Sequence, residues 1–346
     1  MLLLGRGVSS LINILVTSVG KRVELLRYFK AELAGIGGKL VGADRDRMAP
    51  GLNFTDFSYV IPGIYDQDYL PRLLDICRKE QIKAVLSLID PELSVLAHNR
   101  ALFEQAGVCL VIPGAEAVEA CYDKYATQAL LMRRGMEHIK TYRGLDEFND
   151  RSAAGEVAFP VVVKPSFGSS SQDVYIVQNH QDLVCLYNRV DRPIIQEFIA
   201  GRDYSADVYV DLVTKEPVAV FTKLKLSVTG GGADKALGVY EPVLEEFAVH
   251  MAQEFELLGP VDMDFFWSGN RLVLNEINPR FGGGYPLAHH SGLNFINLLI
   301  NNLQGTANKT ALGNYKPGVS MVKYDGYFFK NEPDCALICP ESGESG

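Results

Sequence analysis

The residues best suited to chemistry lie in Arg271-Leu-Val-Leu-Asn-Glu-Ile-Asn-Pro-Arg280, followed by Phe281 and the glycines Gly282 to Gly284. Apolar side chains fill most of 271–277, the pattern of a buried strand. Glu276 and Asn278 stand two apart near its end, and alternate side chains of an extended chain share a face. A carboxylate and an amide oxygen on one face suit Mg²⁺, a hard cation that takes few protein ligands and completes its shell with phosphate and water. Arg280 adds a planar fork matched to phosphate or carboxylate oxygens. The glycines after it let backbone approach a ligand closely. A strand ending in a polar turn has no need of all these groups.

Further groups fit the same chemistry. Val161-Val162-Val163-Lys164-Pro165 sets a lysine at the end of a β-branched run, a costly place unless an anion meets it. Ser166 to Gln172 follows, a loop rich in serine with Gly168, Ser169 and Ser170 able to offer hydroxyls and backbone N–H groups to phosphate. It is not a Walker loop, which needs GxxxxGK[ST]. Gln196-Glu197-Phe198-Ile199 closes a strand ahead of Gly201 and Asp203, so its backbone can meet an adenine edge and the carboxylate a ribose. Asp262 and Asp264 lie on the strand before Glu276, joined through Ser268-Gly269-Asn270. A three-residue loop there pairs Asp262 with Glu276 and Asp264 with Leu274. Acidic side chains sharing a face repel unless a cation intervenes, which points to a metal clamp with Asp264 as the extra ligand. Tyr285, Lys223, Lys225 and Gly230-Gly231-Gly232 are candidates for an acceptor substrate, although a lysine on an alternating strand ordinarily marks its wet face.

The elements that must position these groups fall into two styles. Residues 12–112 alternate strand and helix signals: strands at 12–17, 39–43, 59–61, 84–89 and 108–112, helices at 21–34, 69–78 and 92–105. That alternation predicts an open parallel sheet with helices on both faces. Its first strand-to-helix turn, Thr17 to Arg22, has a single glycine, so the dinucleotide fingerprint is absent. A small ligand can still bind at this turn, because open parallel sheets bind at the carboxyl ends of their strands. Helix is predicted from Ala115 to Gly135, with Asp123 an N-cap for the stretch beginning at Lys124. Beyond it, strands at 159–165, 174–177, 194–199, 204–213 and 217–228, with helices at 179–190 and 244–258, predict a largely antiparallel sheet. The domains expected are 1–114, 115–200 and 201–346.

Composition narrows the function classes. The chain has 346 residues, 47% hydrophobic, enough for a large core divided among subdomains. Its net charge of −9 argues against nucleic acid as principal partner. No run approaches the roughly 20 apolar residues that span a bilayer. The start, Met1 to Leu11, reads as an extension too short and broken for a signal peptide. Cysteines at 77, 109, 121, 185, 335 and 339 form no CxxC pair, consistent with reduced thiols and a cytoplasmic location. The adjacent His289 and His290 read as a surface loop, and the acidic end Pro340 to Gly346 as frayed.

Taken in order, Asp123-Lys124, Lys164 with its loop, Gln196-Glu197-Phe198-Ile199, Asp203, Asp264 and Glu276-Ile-Asn278-Pro-Arg280 resemble the ATP-grasp enzymes, most closely the branch like the carbamoyl-phosphate synthase large subunit. The resemblance runs from about Ile12 to Phe329. It implies an α/β and α+β architecture: an open parallel pre-ATP-grasp domain, a small lid and a central antiparallel-sheet domain. It implies a ligand set of ATP with Mg²⁺ (or Mn²⁺). Lys124, Lys164, Gly168, Ser169 and Ser170 would contact phosphates. Gln196, Glu197 and Ile199 would line the adenine pocket and Asp203 would bind ribose. Asp264, Glu276 and Asn278 would hold the metal, with Arg280 and Lys164 catalytic. The chain departs from the family in a loop richer in serine than glycine. It also holds one ATP-grasp unit where the synthase subunit has two, so the chain alone is not expected to be that synthase unless a second chain or a homodimer supplies the other site. The activity implied is ligation of a small-molecule carboxylate to an amine or thiol through an acyl phosphate. A small-molecule kinase, a silent nucleotide-binding subunit and a nicotinamide-dependent dehydrogenase are the rivals.

Overall fold

The computed structural model describes residues 11–168 and 172–329. Strands β1 (Asn13–Thr17), β2 (Leu40–Asp44), β3 (Phe57–Val60), β4 (Ile82–Ser87) and β5 (Cys109–Leu110) form a parallel sheet in the order β3-β2-β1-β4-β5. β1 shows why: Ile14 and Val16 enter one hydrophobic core while Leu15 between them enters another. A strand buried on both faces reads as a continuous apolar run, and only a helix-covered sheet can bury it. The Val23–Ala34 helix lays Leu25, Leu26, Phe29 and Leu33 on one side, and the Tyr69–Lys79 helix lays Tyr69, Leu73 and Ile76 on the other.

A four-stranded antiparallel lid follows, β6 (Thr141–Tyr142), β7 (Val161–Pro165), β8 (Tyr175–Val177) and β9 (Pro193–Glu197), ordered β6-β9-β7-β8. The third sheet is antiparallel throughout: β10 (Arg202–Val210), β11 (Pro217–Thr229), β12 (Gly232–Val239), β13 (Gly259–Ser268), β14 (Arg271–Asn278) and β15 (Ser320–Val322), ordered β14-β13-β10-β11-β12-β15. Its strands alternate with period two. Tyr204, Ala206 and Val208 of β10 and Val261, Met263 and Phe265 of β13 pack with Leu244, Ala248 and Met251 of the Pro242–Glu254 helix. The intervening residues, Asp203, Ser205, Asp207, Asp262 and Asp264, therefore share the opposite face, which looks toward the parallel-sheet domain.

Several elements differ from expectation. The helix predicted at 115–135 is two, Ala115–Tyr122 and Lys124–Arg133, because Asp123 turns extended and its carboxylate caps the second by accepting from the Tyr125 amide at 3.0 Å. The helix predicted at 92–105 starts at Asp90 and breaks at Asn99, whose side-chain amide donates to the Val95 carbonyl at 2.8 Å. Gly230 and Gly231, both at positive φ, form a two-residue hairpin between β11 and β12. His289 and His290 end a helix, Tyr285–His290, and His289 stacks on Tyr28 at 3.9 Å, so they are not a surface loop. Cys335, Cys339 and the terminal extensions lie outside the described residues. Among those described, Cys77, Cys109, Cys121 and Cys185 are free, and no helix is long and apolar enough to cross a membrane.

One buried carboxylate shows what holds the third sheet. Asp211, fully buried just past β10, accepts from the amides of Val213, Thr214 and Asn308 and from the side chains of Asn302 and Asn308, all at 2.8–2.9 Å. Burial opposes its charge, but these hydrogen bonds outweigh it and hold its pKa down near about 2. A depressed carboxylate contributes stability above its ordinary pKa and loses it as pH falls through the folded value. Asp211→Ala should therefore lower unfolding free energy at pH 7 by roughly 2–4 kcal/mol. Urea midpoints check this, and the gap from the unsubstituted protein should narrow steadily below about pH 4.

Candidate active site

The polar face of the third sheet meets the lid and the carboxyl ends of β1 and β4, and the expected groups converge there. β14 carries the decisive detail. Ser268 pairs with Arg271 across a two-residue turn with Gly269 at positive φ, and the ladder runs regularly to Phe265–Leu274. It then shifts, so that Asp264 lies opposite Glu276 and Asp262 opposite Asn278. The pairing expected from a three-residue loop is thus wrong by two residues. The cause is a shorter turn followed by a bulge at Asn275. A bulge places two residues opposite one and re-aims the side chains beside it. Leu274 and Ile277 both remain in the apolar core, while Asn275, Glu276 and Asn278 reach the cleft.

Two lysines close on that edge. Lys124 sits 3.5 Å from the Glu276 carboxylate and donates to the Gly168 carbonyl at 2.7 Å. Lys164, buried at the end of β7, donates to Asn275 at 3.2 Å. Burial, with Lys124 adding to it, pushes the Lys164 pKa down to about 7, while Glu276 pulls the other way. Burial opposes ionisation of Glu276 itself, yet Lys124, Lys164 and Lys225 outweigh it and hold its carboxyl below the usual range. Asn278 approaches Glu276 at 3.5 Å, and Arg280 donates to Asn278 at 3.1 Å and to Asp90 at 2.6 Å. Asp90, Lys124, Gly168, Glu276 and Asn278 line one cleft. Ser169 and Ser170 lie outside the described residues.

Other expected groups are placed differently. Gln196 turns into the lid and donates to Thr141 at 2.8 Å. Glu197 is held by Arg271 at 2.6 and 3.1 Å, an ion pair that ties β9 to β14, while Ile199 is half-buried beyond it. Lys223 and Lys225 are not a wet face. Lys223 is buried in an ion pair with Asp207 and lies 3.8 Å from Asp262, while Lys225 lies 2.6 Å from Asp264 and 3.3 Å from Asp203. Burial works against the Lys225 charge, but Asp264 and then Asp203 hold its pKa above the ordinary lysine value. The repulsion among acidic side chains that pointed to a metal clamp is therefore met by two lysines. Among the described residues no three His, Cys, Asp or Glu side chains could enclose a metal ion. Tyr285 is packed in the core, its hydroxyl accepting from the Phe295 amide at 2.9 Å.

The parallel-sheet domain supplies Asp90 and Glu92, which sequence patterns missed, and Arg22 from the turn already noted as able to meet a small ligand. Asp90 follows β4 at the carboxyl edge of its sheet, where open parallel sheets bind ligands. Its link to Arg280 crosses 190 residues of chain. Arg22, in the turn after β1, comes beside Gly283. Glu92 is fully buried and accepts from Ser18 and Ser87, each at 2.6 Å, and from Tyr69. Behind Arg280, a Cβ on Gly282 would come within 2.5 Å of the Asp262 carboxylate, so no larger residue fits there.

Residues 14–111 match the PylC-like, N-terminal domain, and residues 121–284 match the ATP-grasp domain. The chain carries an ATP-grasp domain. It is 21% identical to the carbamoyl phosphate synthase large chain of Agathobacter rectalis over 265 residues, 70% of this chain and 24% of that one. It is 29% identical to the formate-dependent phosphoribosylglycinamide formyltransferase of Burkholderia pseudomallei over 153 residues, 44% of this chain and 36% of the relative. The chain thus spans about a quarter to a third of the length of these curated relatives. Its fold matches the biotin carboxylase domain of Hydrogenobacter thermophilus 2-oxoglutarate carboxylase with a TM-score of 0.71 at 16% identity, covering 89% of this chain and 73% of that one. That structure was solved with MgADP and bicarbonate. The ATP-grasp architecture expected from the sequence is the one found.

Proposed function

We propose that this ATP-grasp chain is an ATP- and Mg²⁺-dependent ligase that joins a carboxylate to an amine (or thiol) through an acyl phosphate. The observation that supports this most is the convergence of Lys124 and Lys164, from outside the third sheet, on the bulged edge carrying Asn275, Glu276 and Asn278. Two cations beside a carboxylate and an amide on one face form a cradle for phosphate and its ion. The donor set fits Mg²⁺, which binds through one or two carboxylates plus phosphate oxygens and needs no full protein cage. Glu276 and Asn278 would hold it, with Asp264 behind them on Lys225. When bound, the ion neutralises charge on the transferring phosphoryl group.

Lys164 and Lys124 orient the phosphate chain, and Arg280, fixed by Asp90, steadies the carboxylate being activated. A carboxylate oxygen attacks the terminal phosphorus as the bond to ADP breaks, a step that asks mainly for positioning and charge stabilisation. The amine nitrogen then attacks the acyl carbon, expelling phosphate, and its proton leaves to phosphate or water. Asp203, beside Lys225, would take the ribose, and the backbone through Gln196, Glu197 and Ile199 the adenine. The lid excludes water from the acyl phosphate. Release of ADP across a panel of carboxylates and amines, with hydroxylamine trapping of the acyl group, tests the reading. A stable phosphorylated product without hydroxamate would overturn it.

Lys164 gives a pH signature. Its free pKa near about 7 must rise when phosphate arrives, so nucleotide binding takes up a proton above that pH. MgADP affinity should be full below about pH 7 and weaken by up to roughly tenfold per unit above it. Titration calorimetry in buffers of different ionisation enthalpy measures that uptake, and Lys164→Met should abolish it.

A further inference from the structure

Most cations of the cleft already have partners. Lys124 holds Glu276 and Gly168, Lys164 holds Asn275, Lys223 and Lys225 hold four aspartates, and Arg280 holds Asp90. Arg22 and Lys323 differ. Among the described residues neither side chain makes a hydrogen bond or ion pair, although they come from opposite ends of the chain to the same place. A Cβ on Gly283 would lie 2.9 Å from an Arg22 guanidinium nitrogen and 3.8 Å from the Lys323 ammonium, so the two are at most about 6.7 Å apart, the sum of those distances. The glycine leaves the space between them open. Lys323 is exposed and Arg22 half-buried, so both can be reached from solvent. Burial and then Arg280 push the Arg22 pKa down to about 10, and burial and then Arg22 push Lys323 down. Like charges are held together here, with Asp262 acting on both and Asp234 on Lys323, but no carboxylate among the described residues bonds to either.

Opposite charge lies close by. Asp262, Asp90 and Asp207 all act electrostatically on Arg22, and one oxygen each of Asp90 and Asp207 is buried with no hydrogen-bond partner. A buried oxygen without a donor is costly and is ordinarily met by a ligand or water. The cleft beyond Arg280 therefore presents a free cation pair on one side and unmet carboxylate oxygens on the other.

We propose that Arg22 and Lys323 bind the carboxylate of a zwitterionic acceptor, so that the amine joined in the reaction belongs to a free amino acid. Two charge-assisted hydrogen bonds of about 2.8 Å each, donated by Arg22 and Lys323 to the two oxygens of one carboxylate, span the separation of the pair. The ammonium group then faces the carboxylates, toward Arg280 and the acyl phosphate. This rests on the ligase reading for the fate of the amine, but the binding itself does not.

The test follows the melting temperature of the full chain with saturating MgADP against a panel of free amino acids, their carboxamides and matching aminoalkyl phosphates. At least one amino acid should stabilise the protein saturably, and its carboxamide should bind roughly 10- to 100-fold more weakly. Arg22→Met and Lys323→Met should each erase that discrimination while leaving the MgADP shift intact. Lys323 is exposed and its ammonium makes no hydrogen bond or ion pair among the described residues, so its variant isolates binding from folding. The proposal fails if no amino acid stabilises, if carboxamides or aminoalkyl phosphates do as well, or if Lys323→Met discriminates like the unsubstituted protein. Discrimination without ADP release would sustain the subsite and sink the ligase reading instead.

Discussion

Glu276→Ala is expected to lower Mg²⁺-dependent ADP release by roughly 10²–10³-fold or more, with nucleotide binding far less affected. Three lysines hold this carboxylate ionised, and the bulge at Asn275 sets it beside Asn278 and opposite Asp264. Removing it takes away the one charged oxygen ligand on the edge of β14 facing Lys124. It also strips Lys164 of the negative charge that keeps its pKa from falling further. Glu276→Gln, nearly isosteric, should lose almost as much, because an amide oxygen cannot match an anion for a hard cation. Turnover measured against Mg²⁺ concentration separates a weakened metal site from a lost one. If the alanine variant kept the original rate at the original Mg²⁺ requirement, the metal assignment would be wrong.

Arg280→Met should be comparably damaging to turnover, by roughly 10²-fold or more, but through a different route. Arg280 is nearly buried, and its partner Asp90 is too, in a pair that crosses from one domain to another. Truncating one member leaves the other as an uncompensated buried charge, which costs about 3–5 kcal/mol. The single variant therefore confounds stability with chemistry. The double variant Arg280→Met with Asp90→Asn removes both charges. It should recover most of the thermal stability while its turnover stays low. Melting temperature and ADP release measured on the same preparations distinguish the two effects. Recovery of turnover along with stability would mean that Arg280 serves the fold alone.

Much of this arrangement is legible in the amino-acid order because it rests on local periodicity. The alternation of β13 puts Asp262 and Asp264 on one face whatever their partners, and the apolar run of β1 demands cover on both sides. The Asp123 cap needs only the residues next to it. What escapes is set by pairing between distant segments. The surplus residue at Asn275 leaves no mark in composition, since an asparagine beside a glutamate reads as ordinary strand end. β12 contains two glycines and two alanines, so its propensity is poor and its place comes from its neighbour β11. Asp90 opens a helix and Arg22 sits in a turn, both among other polar residues, and only closure of the parallel-sheet domain onto the third sheet singles them out. Lys223 and Lys225 looked solvated because burial of a lysine depends on carboxylates that arrive from β10 and β13.

The bulge on β14 has one more implication. Because Leu274 and Ile277 are locked in the apolar layer on either side of it, the strand cannot slide by a residue without driving oil into the cleft and a carboxylate into oil. The alignment of the ion-holding atoms is thus guarded by packing on the far side of the sheet. Loosening that hidden layer would blur the chemistry well before the molecule came apart.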